Sequence, residues 1–198
     1  MSLAKNFSGD LSYSAQGGNL ATRRWLWMAR NIEVKARIDD FPGLKSAVES
    51  LSDVPGILLR QQDTFFFVPG GRLKLRESRP GDAELIYYQR ADGAEAKLSE
   101  YSRATVDDPT SLGIVLSTAL GARGRVRKER LLYQSGQTRI HLDRVEQLGD
   151  FLELEYVLRE GEQEAVGRKT VASLLCRFGI REEDLIAGSY IDLMKREA

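Results

Sequence analysis

Residues 71–77 read Gly71-Arg72-Leu73-Lys74-Leu75-Arg76-Glu77, and this short stretch decides how the chain is expected to fold. From Arg72 to Arg76 basic and apolar side chains alternate. Successive side chains of a strand point to opposite faces, so Leu73 and Leu75 share one face and Arg72, Lys74 and Arg76 share the other. Just upstream, Thr64-Phe65-Phe66-Phe67-Val68 reads as a partner strand. Pro69 and Gly70 between them suit the central positions of a type II turn, whose second central residue favours glycine. The segment is therefore a hairpin with three like charges on one face, which repel one another unless an anion lies between them.

The same organisation extends outward in both directions. Ile32, Val34, Ala36 and Ile38 interleave with Glu33, Lys35 and Arg37, placing Asn31, Glu33 and Lys35 on one face. Residues 85–90 and 96–103 read as two further strands. Residues 125–133 and 137–145 form a hairpin around Ser135-Gly136. Lys128 and Arg130 share one face of its first strand, and Arg139, His141 and Asp143 one face of its second. In residues 151–158, Glu153 and Glu155 lie together, opposite Leu152, Leu154 and Tyr156. Helices fill the gaps. Asp39 or Asp40 caps a segment whose apolar face is Leu44, Ala47, Val48 and Leu51. Asp108-Pro109 opens another, with Leu112, Val115, Leu116, Ala119 and Leu120 as its stripe and Gly121 as terminator. A third covers residues 162–178 with Val166, Val171, Leu174, Leu175 and Phe178. A short C-terminal helix holds Leu185, Ile191 and Leu193. The expectation is an α+β protein dominated by antiparallel strands.

Length and composition bound the rest. The chain has 198 residues, 42% of them hydrophobic, and 29 Lys plus Arg balance 29 Asp plus Glu. Residues 1–24, rich in Ser, Gly, Asn and Gln, read as a flexible tail, and residues 25–198 as a single domain. One cysteine forms no disulfide within the chain, so a reducing, cytoplasmic setting is expected. No apolar run approaches the ~20 residues of a membrane-spanning helix, and no secretory leader is apparent. A net charge of zero argues against a dedicated DNA binder, which neutralises many phosphates. The run from Arg123 to Arg130 is better read as solvated strand. Cys176 is expected in the core. His141 is expected on the inner face, either lining it or donating to a carboxylate or phosphate. Of Tyr87 and Tyr88, one lines the interior and the other packs under a helix, while Trp25 and Trp27 cap the barrel or serve a dimer contact.

Closing such strands into a barrel, apolar faces outward beneath helices, would turn every charged face into one cavity with a basic wall and an acidic patch. Arg and Lys hold the oxygens of a polyphosphate, and clustered carboxylates suit a hard divalent ion that bridges phosphates. No Walker-type loop is present, since Gly70-Gly71 is accounted for by the turn.

In this arrangement the chain resembles the CYTH domain, within the triphosphate tunnel metalloenzymes that include class IV adenylate cyclases and thiamine triphosphatases. The segments carrying the resemblance are residues 31–35, 71–77, 127–133, 139–145 and 148–155, with Gly188-Ser189-Tyr190-Ile191-Asp192-Leu193 at the end. It extends from about Arg30 to the C-terminus. The resemblance implies a closed eight-stranded antiparallel β-barrel with helices outside, often as a homodimer. It implies Mg2+ or Mn2+ held by Glu33, Asp143, Glu153 and Glu155, with Asn31 as an optional further ligand. The triphosphate falls to Lys35, Arg72, Lys74, Arg76, Arg90, Lys128 and Arg130, and the catalytic roles to Glu33, Lys35 and Asp143. Two departures from the family pattern stand out. Asn31 replaces the first Glu of Glu-x-Glu-x-Lys, and Gln89 followed by Arg90 replaces a Lys, so that Arg90 reaches the phosphates only through a local change of strand register.

The implied activity is metal-dependent hydrolysis of a triphosphate such as ATP, thiamine triphosphate or inorganic triphosphate. The alternatives are a cyclase making cyclic AMP and pyrophosphate, and a non-catalytic triphosphate-binding module.

Overall fold

The computed structural model describes residues 29–194. The strands are β1 (Ala29–Arg37), β2 (Ile57–Phe66), β3 (Arg72–Arg79), β4 (Ala83–Arg90), β5 (Lys97–Val106), β6 (Ala122–Ser135), β7 (Thr138–Val145) and β8 (Gly149–Val157). The helices are α1 (Phe41–Glu49), α2 (Pro109–Leu120), α3 (Glu164–Arg177) and the short α4 (Tyr190–Met194). The strands close into one barrel in the order β1-β5-β4-β3-β2-β6-β7-β8, with every pairing antiparallel. The expected eight-stranded barrel with helices outside is therefore the fold. The tail expected over residues 1–24, and Trp25 and Trp27, lie outside the described residues.

The main apolar core lies outside the barrel wall. Ile32, Val34, Ile140, Leu142, Leu152 and Leu154 point away from the interior and pack with Phe41, Leu44 and Val48 of α1 and Val171 of α3. Burying each such side chain stabilises the fold by roughly 1.5–3 kcal/mol. Gly167 lets α3 approach closely, because a Cβ there would lie 2.7 Å from Ile32 Cγ1. Asp40 caps α1 by accepting from the Gly43 N–H at 2.9 Å, and Asp108 caps α2 through the Ser111 N–H at 3.0 Å. Each satisfies an amide that the helix start leaves without a partner.

A second apolar cluster closes one end of the barrel. Tyr190, Ile191 and Leu193 of α4 pack against Phe65, Val126, Val145, Leu148 and Phe151. Asp192 pins this helix in place. It accepts from Arg72 of β3 at 2.9 Å and from Arg123 of β6, and it takes the Ser189 hydroxyl at 2.6 Å.

Several expectations are corrected. β2 begins at Ile57, well before residue 64, and ends at Phe66; its polar run Arg60-Gln61-Gln62-Asp63 hides the alternation because both faces carry polar groups. The left-handed turn residue is Gly71 (φ 65°), one position later than expected. The stripe expected on α2 is not buried: Val115 and Leu120 are exposed, as is Ile114. Val166 is exposed too. Cys176 is exposed rather than core. Leu185 lies outside α4 and instead bridges Ala36 of β1. Among the described residues no helix is long and apolar enough to cross a membrane.

Candidate functional site

Inside the barrel lies a cavity of about 380 Å³, floored by Ser189 and Tyr190 and lined by alternate residues of all eight strands. Eight Lys and Arg side chains face six Asp and Glu around it, a surplus of two positive charges. Following the strand order around the wall, β8 and β1 stand across the barrel from β3 and β2. The acidic residues Glu33, Glu153 and Glu155 therefore face Lys74 and Arg76, with Lys128 and Arg130 of β6 between the two.

The basic residues are held by a device that appears twice. On β3, Arg76 donates through Nε to Asp63 Oδ1 and through Nη2 to Oδ2, both at 2.7 Å, while Lys74 Nζ reaches Oδ2 at 3.0 Å. On β6, Arg130 donates through the same two nitrogens to Asp143, both at 2.6 Å, and Lys128 Nζ reaches Oδ2 at 3.1 Å. In each unit the Asp stands directly across the ladder from the Arg. Paired donors from a planar guanidinium fix its orientation, and both Arg76 and Arg130 line the cavity. Tyr190 adds a hydroxyl donor to Asp143 at 2.8 Å.

These contacts set the protonation states. Burial works to raise the Asp63 pKa, but Arg76 and then Lys74 overcome it and hold the carboxyl well below the usual range. Arg130 and Lys128 likewise outweigh burial at Asp143. Burial, then the nearby Arg76, brings the Lys74 ammonium down to about 8. Burial, then Arg130, brings Lys128 down to about 7. Both lysines thus titrate near neutrality, where an incoming anion would favour their charged form.

The acidic wall is also paired. Glu33 and Glu155 stand opposite each other on β1 and β8. Glu33 contacts Arg90, and Arg139 donates to Glu155 Oε2 at 2.7 Å. Glu153 takes Lys35 on one oxygen and Arg130 on the other, the latter at 2.6 Å. Burial tends to raise the Glu155 pKa, yet Arg139 brings it to about 2. His141 is buried beside Glu153, and burial and then Arg130 lower its pKa, favouring the neutral ring. His141, Glu153 and Glu155 offer one ligand atom each within 4.8 Å of one another. Asn31 Oδ1, also buried in this lining, has no hydrogen-bond partner among the described residues. An orphaned carbonyl oxygen beside clustered carboxylates fits a divalent cation.

The structure brings most of the expected site residues together: Asn31, Glu33, Lys35, Lys74, Arg76, Arg90, Lys128, Arg130, Glu153 and Glu155 all line the cavity. Two stand apart. Arg72 is committed to Asp92 and to Asp192 of α4. Asp143 is fully buried behind Lys128 and Arg130, with both oxygens taken. No register change is needed for Arg90. It faces inward by regular alternation with Tyr88, in unbroken pairing with β5, and Gln89 points out to Tyr87. Tyr88 lines the cavity, whereas Tyr87 donates to Gly70 O at the hairpin end. Among the charged lining residues, Asp63, Asp82, Glu84, Arg103 and Arg139 escaped the sequence reading, as did Lys97, which is buried just outside the lining. Asp63 lay in the unreadable part of β2. Lys97, inward on β5 opposite Glu33, sits next to a loop and shows no pattern. Arg139 was legible as a face-mate of His141 but had no role without its partner Glu155.

Comparison with known proteins follows the same lines. The CYTH domain family model matches residues 29–190. A search of curated proteins finds no match. Among solved structures, the PH1012 protein of Pyrococcus horikoshii is 28% identical, with a TM-score of 0.72 over 82% of this chain and 98% of that one. A putative adenylate cyclase from Vibrio parahaemolyticus is 20% identical (TM-score 0.69; 85% and 99% covered). A putative adenylyl cyclase from Hippeastrum, described as having a dominant triphosphatase activity, is 16% identical (TM-score 0.59; 86% and 96% covered). The fold, the charged cavity and the family match agree: this chain belongs to the CYTH domain family.

Proposed function

We propose that the cavity binds the phosphate chain of an organic or inorganic triphosphate and hydrolyses it with the help of a divalent metal. The observation that carries this reading is the double Lys-x-Arg unit, Lys74/Arg76 on Asp63 and Lys128/Arg130 on Asp143. Four cations are pre-oriented across one wall, with a surplus of positive charge around the cavity. In this reading Lys35, Lys74, Arg76, Arg90, Lys128 and Arg130 engage non-bridging phosphate oxygens. Each of these cations has a carboxylate partner that holds it in place in the empty cavity, so none is a buried unpaired charge before the phosphate arrives. Asp63 and Asp143 act as positioning residues, and Tyr190 steadies the second.

Mg2+ or Mn2+ would be held by Glu33, Glu153 and Glu155 with the Asn31 carbonyl, and when bound it supplies charge neutralisation and polarises phosphorus. Around it, Lys35 pairs with Glu153 and lies over the floor, 4.2 Å from the centre of the Tyr190 ring. From there it can follow the charge that develops on the transferred phosphoryl group. Hydrolysis asks for fewer specific groups than cyclisation. The relative from Hippeastrum described by its triphosphatase activity supports the same choice.

The experiment is incubation of the full chain with Mg2+ or Mn2+ and ATP, thiamine triphosphate or inorganic triphosphate. Phosphate release without cyclic AMP is expected. Cyclic AMP with pyrophosphate would replace the hydrolase by a cyclase, and tight binding without turnover under either metal would make it a binding module.

A further inference from the structure

His141 occupies the acidic wall in a way that a purely carboxylate metal site does not require. On the β7–β8 ladder it stands directly opposite Glu153, and the next inward pair is Arg139 with Glu155. Its Nδ1 lies 3.3 Å from Glu153 Oε2 and 3.9 Å from Glu155 Oε1. Arg139 takes the other oxygen of Glu155, so Oε1 is the one turned towards the imidazole. The three ligand atoms lie within 4.8 Å of one another. Two ligands of one ion, each at about 2.1 Å, are separated by at most ~4.2 Å. Gathering all three on a single ion therefore takes a rotamer adjustment and the release of Glu153 Oε2 by Arg130, which donates to it at 2.6 Å in the empty site.

A further oxygen stands next along the same wall, one inward row beyond the Glu33–Glu155 pair. Asn31 is buried in the cavity lining, and its Oδ1 has no donor among the described residues. It lies two residues along β1 from Glu33, the cross-strand neighbour of Glu155. A cation is the partner that a neutral carbonyl oxygen accepts as readily as a hydrogen-bond donor.

The donor set is therefore mixed. The neutral amide Asn31 stands at the start of the row that continues with Glu33, and an imidazole adjoins Glu153 and Glu155. Mg2+ strongly prefers oxygen ligands, whereas first-row transition ions take imidazole nitrogen readily. We propose that His141 is a nitrogen ligand of the metal site, which selects Mn2+, Co2+ or Zn2+ over Mg2+. The inference rests on the reading that the acidic wall holds the metal, and it sharpens which metal that is.

The chain contains a single histidine, so the test can be made without mutation. The full, tag-free chain is freed of metal and titrated with Mn2+ in the absence of any triphosphate. The bound ion is then examined by pulsed electron paramagnetic resonance. The expected result is a nitrogen modulation from one imidazole, which changes to the 15N pattern when the protein is grown with 15N-histidine. In competition, Mn2+ should bind at least about tenfold tighter than Mg2+, as expected when an imidazole enters the coordination sphere. His141→Gln should abolish the nitrogen signal and weaken Mn2+ and Co2+ by about tenfold or more, while changing Mg2+ binding by less than about threefold. Bound Mn2+ without nitrogen modulation in the wild-type chain, an unchanged Mn2+/Mg2+ ratio in the variant, or no metal binding overturns the proposal. Because no triphosphate enters the measurement, these outcomes are separate from failure of the hydrolase reading, which the phosphate-release assay decides.

Discussion

Asp63 of β2 and Arg76 of β3 face each other across the ladder and share two hydrogen bonds of 2.7 Å, one to each carboxylate oxygen. Lys74 completes the unit on the same carboxylate. Asp63→Asn keeps the shape but leaves two buried cations with less counter-charge. Breaking a buried pair in this way costs roughly 3–5 kcal/mol. The variant is expected to unfold at lower urea than the wild type. Saturating inorganic triphosphate should recover more of its stability than it adds to the wild type, since the phosphate then serves as counter-anion. Equal stabilisation of both proteins would show that the triphosphate does not reach this wall.

The two depressed lysines make triphosphate binding fall as pH rises. Lys74 at about 8 and Lys128 at about 7 must be protonated to hold phosphate. Affinity measured calorimetrically should therefore drop from pH 6.5 to pH 9, with proton uptake on binding between. The sign for folding is the reverse. Between about 8 and the ordinary 10.5, unfolded Lys74 keeps a proton that the folded residue has released, so stability of the empty protein rises with pH there. Lys74→Met should remove that part of both slopes. Flat binding from pH 6.5 to 9 would refute the assignment.

Asn31→Glu restores a carboxylate to the metal wall. A further unit charge about 4 Å from a divalent ion contributes roughly 8 kcal/mol at an effective dielectric near 20, before repulsion from Glu33 is subtracted. Mg2+ affinity is expected to rise at least about tenfold. Without metal the variant should melt at a lower temperature, because the added charge crowds the acidic wall. Titration followed by calorimetry checks the first, and thermal unfolding in chelator checks the second.

Asp192 is the pin of the closed end. Asp192→Asn weakens its hold on Arg72 and Arg123. Amide exchange in residues 188–194 should accelerate strongly while residues 138–157 of the barrel keep their protection. Uniform acceleration across the protein would mean that α4 is not an independently opening unit.

The outer core answers to cavity and crowding rules. Leu154→Ala removes a fully buried side chain and is expected to cost about 2–5 kcal/mol. Gly167→Ala should also destabilise, since its methyl would meet Ile32 and Tyr156 below 3.0 Å. Urea unfolding measures both.

How much of this was legible depends on which face of a strand carried the signal. β1, β3, β6, β7 and β8 alternate cleanly, because their apolar side faces the helices and their charged side faces the cavity. The rows Glu33/Lys35, Lys74/Arg76, Lys128/Arg130 and Glu153/Glu155 were visible for that reason. β2 was half hidden, and Asp63 with it, because Arg60 and Gln62 are polar on its outer side as well. Asp143 was visible as an inward acid. Its role depends on Lys128 and Arg130, which reach it first.

By itself, the sequence determined an α+β protein of antiparallel strands and the sets of like charge on single strand faces, since periodicity two and the turn residues suffice for these; the closed barrel that turns those faces inward followed from the family resemblance. Only the tertiary structure decided which charge partners which. It committed Arg72 to α4, turned Arg90 inward without a register change, joined Asp143 to Glu153 through Arg130 and brought His141 to Glu153 and Glu155. A strand pattern states which face a side chain occupies, whereas partnership depends on strand order and stagger around a closed barrel, and neither is written in the local alternation.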